Sequence, residues 1–124
     1  MTLAVIDAKK LIDSAHIDGI DNVYTINIPS NVVENTDQTI VLLTDANTNI
    51  DIPGNNDFAA LRRMIEVQIF YSLHPSRDPE EIDVALYRLF KHHDWDIGEN
   101  RGHTYDPDTE QLTSTFYVSD LKLV

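Results

Sequence analysis

The stretch HTYDPDTEQLTSTFYV, residues 103–118, contains a turn signal followed by an alternating apolar pattern. Its centre, Asp-Pro-Asp-Thr, has ordinary turn chemistry, because proline fixes φ and aspartate side chains accept hydrogen bonds from nearby backbone amides. After the turn, Leu112, Phe116 and Val118 fall on one face of an extended strand. The sequence therefore predicts a long C-terminal β-hairpin, with residues 95–105 as its outgoing strand.

The carboxylates of this stretch raise the alternative of an ion site, since Asp106, Asp108 and Glu110 occupy alternate positions. A calcium loop also needs a glycine at its sixth position and a bidentate glutamate at its end, and neither follows here. A second alternating array runs from Asp45 to Asp51, but Ile50 stands where such a loop requires glycine. We therefore interpret both arrays as structural and predict no metal site in either.

A group of histidines and aspartates offers the other metal candidate. His92, His93, Asp94, Asp96 and His103 lie within twelve positions of the sequence. Adjacent histidines point in different directions on a helix, and no pair has the i, i+4 spacing of zinc ligands. Motifs for a nucleophile elbow, a phosphate loop or a dinucleotide site are also absent from the sequence. We expect no catalytic residue, no cofactor and no metal.

The clearest helix of the sequence is DPEEIDVALYRLFKHHDW, residues 78–95. Asp78 is the predicted N-cap, Pro79 occupies the first helical position, and Glu81 completes a capping box. Apolar residues then recur at the spacing of one helical face, at Ile82, Ala85, Leu86, Leu89 and Phe90. This pattern predicts an amphipathic helix whose apolar face packs on the core.

The first half of the chain gives a second helix and two strands. The helix is predicted over residues 2–16, with Thr2 as its N-cap. Residues 22–29 alternate in polarity, which indicates a strand, and residues 39–45 are apolar on both faces, as in a buried central strand.

The middle of the chain contains a polar segment followed by a segment with a mixed pattern. The segment ANTNIDIPGNND, residues 46–57, is rich in Asn, Asp, Pro and Gly and predicts a long polar loop, which at this length is usually either functional or mobile. The segment FAALRRMIEVQIFYS, residues 58–72, starts with a helical pattern and ends with the alternation of a strand.

The order of helix, strands, helix and strands predicts one α+β domain over residues 1–124. We expect a mixed or largely antiparallel twisted sheet, with about two helices packed on one face. An apolar fraction of 42% is ordinary for a globular domain. The longest apolar runs have only a few residues, so no segment is predicted to span a membrane, and the lack of cysteine excludes disulfides.

The formal charge of -12 argues against binding nucleic acid through its phosphates, which requires clustered Lys and Arg. An acidic wall repels DNA and lets it pass without binding. The adjacent pair Arg62 and Arg63 has two interpretations. It contacts an acidic surface of a neighbouring copy or partner, or it forms an intramolecular salt bridge.

The layout of the chain resembles a family of phage proteins. The segment EVQIFYS before the acid-capped helix, and HTYDPDTEQLTSTFYV near the end, are similar to small structural proteins of long-tailed phages (siphophages) of Gram-positive bacteria, in particular tail terminator or tail-completion proteins. The resemblance extends from the first helix to the last strand and rests on layout and on these two segments. It includes no catalytic signature.

The resemblance implies a non-enzymatic virion protein with a small α/β sandwich fold. Such proteins form a ring, typically a hexamer, at the head-proximal end of the tail tube. The ring stops tube polymerisation and presents a surface to the head–tail connector protein. The implied partners are therefore other copies of the chain, the tail tube protein and the connector. DNA only passes through the lumen, no membrane is involved, and assembly takes place in the host cytoplasm.

Two alternatives stay open. A head–tail connector, head-completion or other minor tail protein has a similar size. An acidic inhibitor that mimics DNA belongs to another class; the net charge suits it, but basic residues interrupt the second half of the chain.

The interface candidates are chosen from the layout of the chain. They lie in and beside the predicted loop and are Ile50, Ile52, Asn55, Phe58, Arg62 and Arg63. Deleting residues 46–56 is expected to preserve folding and abolish assembly.

Overall fold

The structure is a computed structural model that describes residues 3–26, 28, 36–54 and 57–123; for residues 51–53 and 58 it describes the backbone only. Within these residues the chain forms two helices and five strands. In chain order they are α1 (Ala4–Ala15), β1 (Asn22–Thr25), β2 (Ile40–Gly54), β3 (Asp57–Phe70), α2 (Pro79–His92), β4 (Asp96–Tyr105) and β5 (Leu112–Leu123).

The described strands form one sheet in the order β1-β2-β3-β5-β4. β1 pairs with β2 in parallel, and the other three neighbouring pairs are antiparallel. The sheet is therefore mixed, and the predicted α+β class with a C-terminal hairpin is confirmed. No helix in the described part of the chain is both long and apolar enough to cross a membrane.

The core lies between one face of the sheet and the two helices. α1 contributes Val5, Ala8 and Ile12, and α2 contributes Ile82, Leu86 and Phe90, all of them buried. The sheet contributes alternate residues of its central strands, namely Val41, Leu43, Ile65, Val67, Ile69, Phe116 and Val118. This alternation is the physical reason for the fold, because only one side of each strand supplies the core.

α2 begins where its capping signal predicts. The Asp78 carboxylate accepts a hydrogen bond from the backbone N–H of Glu80 at 2.8 Å. Glu81 does not close the predicted capping box; its carboxylate lies 3.4 Å from the Arg77 guanidinium instead. At the other end Trp95 is buried and packs edge-on against Phe90, which fixes the turn from the helix into β4.

α1 begins at Ala4 with Leu3 in the N-cap position, and the predicted cap, Thr2, lies outside the described residues. The helix ends at Ala15, and the C-cap residue His16 has a positive φ of 47°. Gly19 follows with φ 98°, and a Cβ there would stand 2.9 Å from Ile82 Cδ1. This glycine therefore permits a close approach of the α1–β1 turn to α2.

The prediction of a loop over residues 46–57 is wrong for residues 46–54 and 57, and residues 55 and 56 lie outside the described chain. β2 continues through this segment to Gly54, and β3 starts at Asp57, so the two strands form one long hairpin. Its composition resembles a loop because much of this segment is polar and, where its side chains are described, exposed. The backbone pairing with β3, at Asn47↔Met64 and Ile50↔Leu61, makes it a strand.

The helical start predicted for residues 58–72 is also wrong, because β3 covers Asp57–Phe70 entirely. Ala-Ala-Leu-Arg-Arg has good helix propensity. The buried residues Arg63, Ile65, Val67 and Ile69 nevertheless recur with a period of two. Pairing with strands on both sides overrides the local propensity.

The C-terminal hairpin and its turn are confirmed. The Asp106 carboxylate accepts hydrogen bonds from the backbone N–H groups of Asp108 and Thr109, at 2.8 and 3.3 Å. The Asp106 N–H donates to the Gln111 carbonyl at 2.8 Å. The alternating carboxylates of this stretch thus organise a turn. The first predicted strand is shorter than residues 22–29, since β1 ends at Thr25, and residues 27 and 29 lie outside the described chain.

Candidate interaction surface

A three-stranded part of the sheet extends beyond the two outer strands. β1 follows β2 only as far as Thr25↔Leu43, and β4 follows β5 only as far as Asp96↔Ser119. The inner pairs continue further, to Gly54↔Asp57 and to Ala60↔Leu123. We call this extension, residues 44–54, 57–64 and 120–123, the distal blade.

The blade starts at an irregularity of β2. The register with β3 shifts between Asp45 and Asn47, so Ala46 is an extra residue in the ladder. Such a bulge bends a strand and increases its local twist. The position of Ala46 at the base of the blade therefore sets the direction in which the blade leaves the sheet.

Arg63 joins the base of the blade to the helical layer. Its Nε and Nη2 atoms donate to the Asp120 carboxylate at 2.9 and 2.7 Å, and Nη2 also donates to Asp7 of α1 at 3.0 Å. The side chain is buried. The hydrogen bond to Asp120 is the main cause that raises the pKa of the guanidinium. Arg63 thus holds α1, β3 and β5 together.

Large apolar side chains are exposed on both faces of the blade. Ile50 lies opposite Leu61 on the face that Arg63 shares, and its exposed fraction is 64%. Leu121 and Leu123 lie on the other face, opposite Arg62 and Ala60, with exposed fractions of 41% and 71%. Clustered exposed apolar residues are typical of protein interaction sites.

The structure places most of the predicted interface residues on the blade. Ile50 and Arg62 point to opposite faces, and the backbones of Ile52 and Phe58 belong to its β2 and β3 strands. Asn55 lies outside the described residues.

The two adjacent arginines separate. Arg63 turns inward to the ion pairs with Asp7 and Asp120, which corresponds to the intramolecular interpretation of the dibasic pair. Arg62 remains 43% exposed, and its guanidinium lies 4.0 Å from the carboxylate of Asp96.

Leu121 and Leu123 are residues that the sequence reasoning missed as surface candidates. Both alternate in phase with Tyr117 and Ser119, so they occupy the face opposite Phe116 and Val118. The alternation of the sequence alone is enough to detect these two leucines, because the preceding positions on the same face of the strand are polar.

A second polar cluster joins α2 to the sheet. The Tyr71 hydroxyl donates to Oδ1 of Asp83, and Nε2 of His103 lies 2.6 Å from Oδ2 of the same carboxylate. Asp83 is buried. Burial, followed by the hydrogen bond to Asp83, raises the pKa of the Tyr71 hydroxyl. Both carboxylate oxygens are thus occupied by donors, and the cluster fixes α2 on β4 and on the residue that follows β3.

The metal candidates of the sequence do not come together. His103 lies against Asp83, whereas His92 and His93 lie at the end of α2, where Nδ1 of His93 is 2.9 Å from the Leu89 carbonyl. Among the residues that the structure describes, no three His, Asp or Glu side chains are arranged to hold a metal ion.

A shallow depression of about 460 Å³ lies along α2. Its lining includes Arg77 and Arg88, the carboxylates of Glu80 and Glu81, and the apolar residues Val84 and Ala85. Because both charge signs line it, the depression favours no particular class of ligand.

The fold is similar to that of a solved structure from an extracellular contractile injection system, a PVC sheath/tube terminator in the extended state studied by cryo-EM. The TM-score is 0.51, the identity is 7%, and the match covers 100% of this chain and 58% of that chain. At this identity the likeness concerns the fold. No curated protein sequence matches the chain. A sequence model of a protein family matches residues 3–122. The chain therefore belongs to the family described as "Protein of unknown function (DUF806)".

Proposed function

We propose that this protein is a non-enzymatic structural component of a phage or phage-like tail, and that it is the terminator of the tail tube. The observation that carries the proposal is the likeness of the complete chain to the fold of a sheath/tube terminator. The chain spans 58% of the length of that terminator, so the partners and the assembly given below are part of the proposal.

The geometry of the distal blade supports an assembling role. A closed ring requires two different, complementary patches on each subunit, because its contacts are head-to-tail. The blade offers different surfaces on its two sides, β2 on one and the end of β5 on the other. Exposed Ile50, Leu121 and Leu123 supply apolar area beside both. These are the features expected of a subunit that contacts two neighbours.

The charge of the chain is consistent with a position on the path of DNA. Each copy carries a formal charge of -12. A ring of acidic subunits offers the phosphates no binding site, so DNA passes through its lumen without being retained.

The finer part of the proposal follows from the resemblance of the sequence to siphophage terminators. In this part the ring is a hexamer in the virion, on the head-proximal end of the tube of a long-tailed phage with a Gram-positive host. It forms in the host cytoplasm, and its partners are the tube protein and the head–tail connector protein. The ring ends tube growth and forms the head–tail joint.

The test is a stop codon in the gene within its phage or prophage, with a plasmid copy of the wild-type gene as the control. The induced lysate is examined by negative-stain electron microscopy. We expect tubes of irregular, excessive length beside filled heads, and restored tails when the plasmid is present.

Two other outcomes contradict the terminator function. Tails of normal length that are not attached to heads assign the protein to the connector side of the joint. Intact infectious particles remove it from the tail. In that case tight binding to a nuclease or polymerase, lost at high salt, identifies the DNA-mimicking inhibitor.

A further inference from the structure

The distal blade has two open edges within the described part of the chain. No described strand pairs with β2 beyond Leu43 on the side away from β3, or with β5 beyond Ser119 on the side away from β3. An open edge presents a row of backbone N–H and C=O groups, which is a template for another strand. The two edges lie on opposite sides of the same three-stranded unit.

The outer edge of the described sheet at β4 is protected against strand addition. The outer strand β4 has two register irregularities along β5, between Ile97 and Asn100 and between Asn100 and His103. It also carries Glu99 and Arg101, both of them exposed. Irregular pairing and charged side chains are the usual means by which a sheet blocks its edges. Strand addition therefore favours the edges of the blade over the edge of β4.

The two blade edges have opposite charges. Residues 44–54 of β2 contain Asp45 and Asp51 and no Lys or Arg. At the end of β5, Lys122 supplies a positive charge, whereas Asp120 is engaged with Arg63. The register places Asp45 and Lys122 on the same face of the sheet, since they lie opposite Ile65 and Leu61 of β3, two positions of equal phase. Opposite charges on one face favour the contact of one edge with the other.

The strand directions determine how two copies meet. β2 and β5 are both antiparallel to β3, so they run parallel to each other. A rotation about a ring axis preserves the direction of a strand along that axis. Strands from neighbouring copies in a ring therefore meet in parallel.

We infer that the subunits of the ring join by strand addition, with the β2 edge of one distal blade pairing in parallel with the β5 edge of the next blade. The inference rests on the proposed function, because it names the subunit contact of the proposed ring. Each copy contributes three strands, and the contact is heterologous, so repetition closes a continuous sheet.

Cysteine crosslinking tests the inference, and the chain offers a clean background because it contains no cysteine. Leu121→Cys on β5 is combined in turn with Thr44→Cys, Asn47→Cys and Asn49→Cys on β2, to sample the register between copies. Asn49 and Leu121 both lie opposite Arg62, with β3 between them. Two strand spacings are about 10 Å, which is too far for a disulfide within one chain.

The variants are expressed in the strain with the stop codon, and tails are purified and oxidised before a non-reducing gel. At least one double variant is expected to give a ladder of crosslinked species that reaches the full ring. Each single variant is expected to run as a monomer on the gel, because the proposed contact never brings two β2 edges or two β5 edges together. Circular dichroism of each purified variant establishes that it folds.

The matched control combines Asn49→Cys with Glu99→Cys on the protected edge. A ladder from this pair alone, or no ladder from any blade pair in tails of normal length, overturns the edge pairing and leaves the terminator function intact. Virions unaffected by the stop codon overturn the function, and the inference with it.

Discussion

Arg63 is the side chain on which the attachment of the distal blade to α1 depends. Arg63→Ala removes the guanidinium from two largely buried carboxylates, Asp120 and Asp7. We expect the free energy of unfolding to fall by about 3 kcal/mol, because a charge that loses its buried partner stays desolvated. Urea unfolding followed by Trp95 fluorescence measures the change.

The neighbouring arginine provides the control for this experiment. Arg62 is 43% exposed, and its guanidinium is 4.0 Å from Asp96. Water screens the ion pairs of a guanidinium this exposed, so Arg62→Ala is expected to cost less than about 0.5 kcal/mol. Equal effects of the two substitutions would contradict the role of Arg63.

Tyr71 makes the stability of the folded protein depend on pH in the alkaline range. Burial raises the pKa of its hydroxyl, so the folded state keeps a proton that the unfolded chain releases near pH 10. Stability should therefore be fully present below about pH 10 and fall as the pH rises further. Tyr71→Phe should make this fall less steep by up to about 1.4 kcal/mol per pH unit.

Urea unfolding at several values between about pH 9 and pH 11 measures how steeply the free energy of unfolding falls with pH. This range includes the ordinary pKa of tyrosine. Tyr105→Phe is the matched control, since 75% of this side chain is exposed. At neutral pH, Tyr71→Phe should also cost about 2 kcal/mol, because buried Asp83 loses a hydrogen-bond donor. An unchanged alkaline slope would show that the hydroxyl is not protected by burial.

The sequence alone does not show which of the two residues, Arg62 or Arg63, faces the helices. Adjacent residues of a strand point to opposite faces of a sheet, so one arginine must face the helices if the segment is a strand. The helical pattern at the start of residues 58–72 hides this alternation in the sequence. The partners Asp7 and Asp120 are also 56 and 57 positions away in sequence, and no local pattern connects them with Arg63.

Among the elements, the pairing of β2 with β3 determines which deletion tests the role of the blade in assembly. Deleting residues 46–56 removes most of the blade portion of β2 and leaves β3 residues 57–64 without that partner. A symmetric truncation removes residues 50–61 and joins Asn49 to Arg62, which are paired, through an Asn-Gly turn.

The symmetric truncation should fold, because none of the residues 50, 54, 57 and 59–61, whose side chains the structure describes, belongs to the main cluster of buried apolar residues. It should fail to restore normal tails in the strain with the stop codon, since the outer part of the blade is lost. Thermal unfolding and electron microscopy measure the two effects. A truncated protein that restores tails of normal length would exclude the blade as an assembly surface.

The elements found from the sequence are those with local signals. α2 has its cap at Asp78 and a helical period, and the C-terminal hairpin has the turn at Asp106. The extension of β2 has no such signal, because its side chains are largely polar and its partner is another strand.

At the scale of the whole molecule, the net charge opposes association. Copies that each carry a charge of -12 repel one another strongly at low salt, where the screening length is about 30 Å in 0.01 M salt and about 8 Å in 0.15 M. We therefore expect the purified protein to shift from monomer towards oligomer as the salt concentration rises over this range. Light scattering after size-exclusion chromatography measures the molar mass.

The same titration distinguishes the DNA-mimicking alternative. Binding of an acidic mimic to a nuclease depends on charge attraction and weakens as salt rises. Association of copies of this chain should strengthen. Dissociation of the oligomer by moderate salt would contradict an apolar and backbone-mediated contact.

Local patterns in the sequence predict the α+β class, the position of α2 and the C-terminal hairpin, and its composition makes the molecule acidic. These follow from capping, periodicity, turn chemistry and composition, which act between residues close in the chain. The tertiary structure alone shows that residues 46–54 and 57 belong to a long hairpin, that its end projects beyond β1 and β4, and that Arg63 faces inward. Strands form by backbone hydrogen bonds between distant segments, and those bonds place few demands on side chains that remain in solvent.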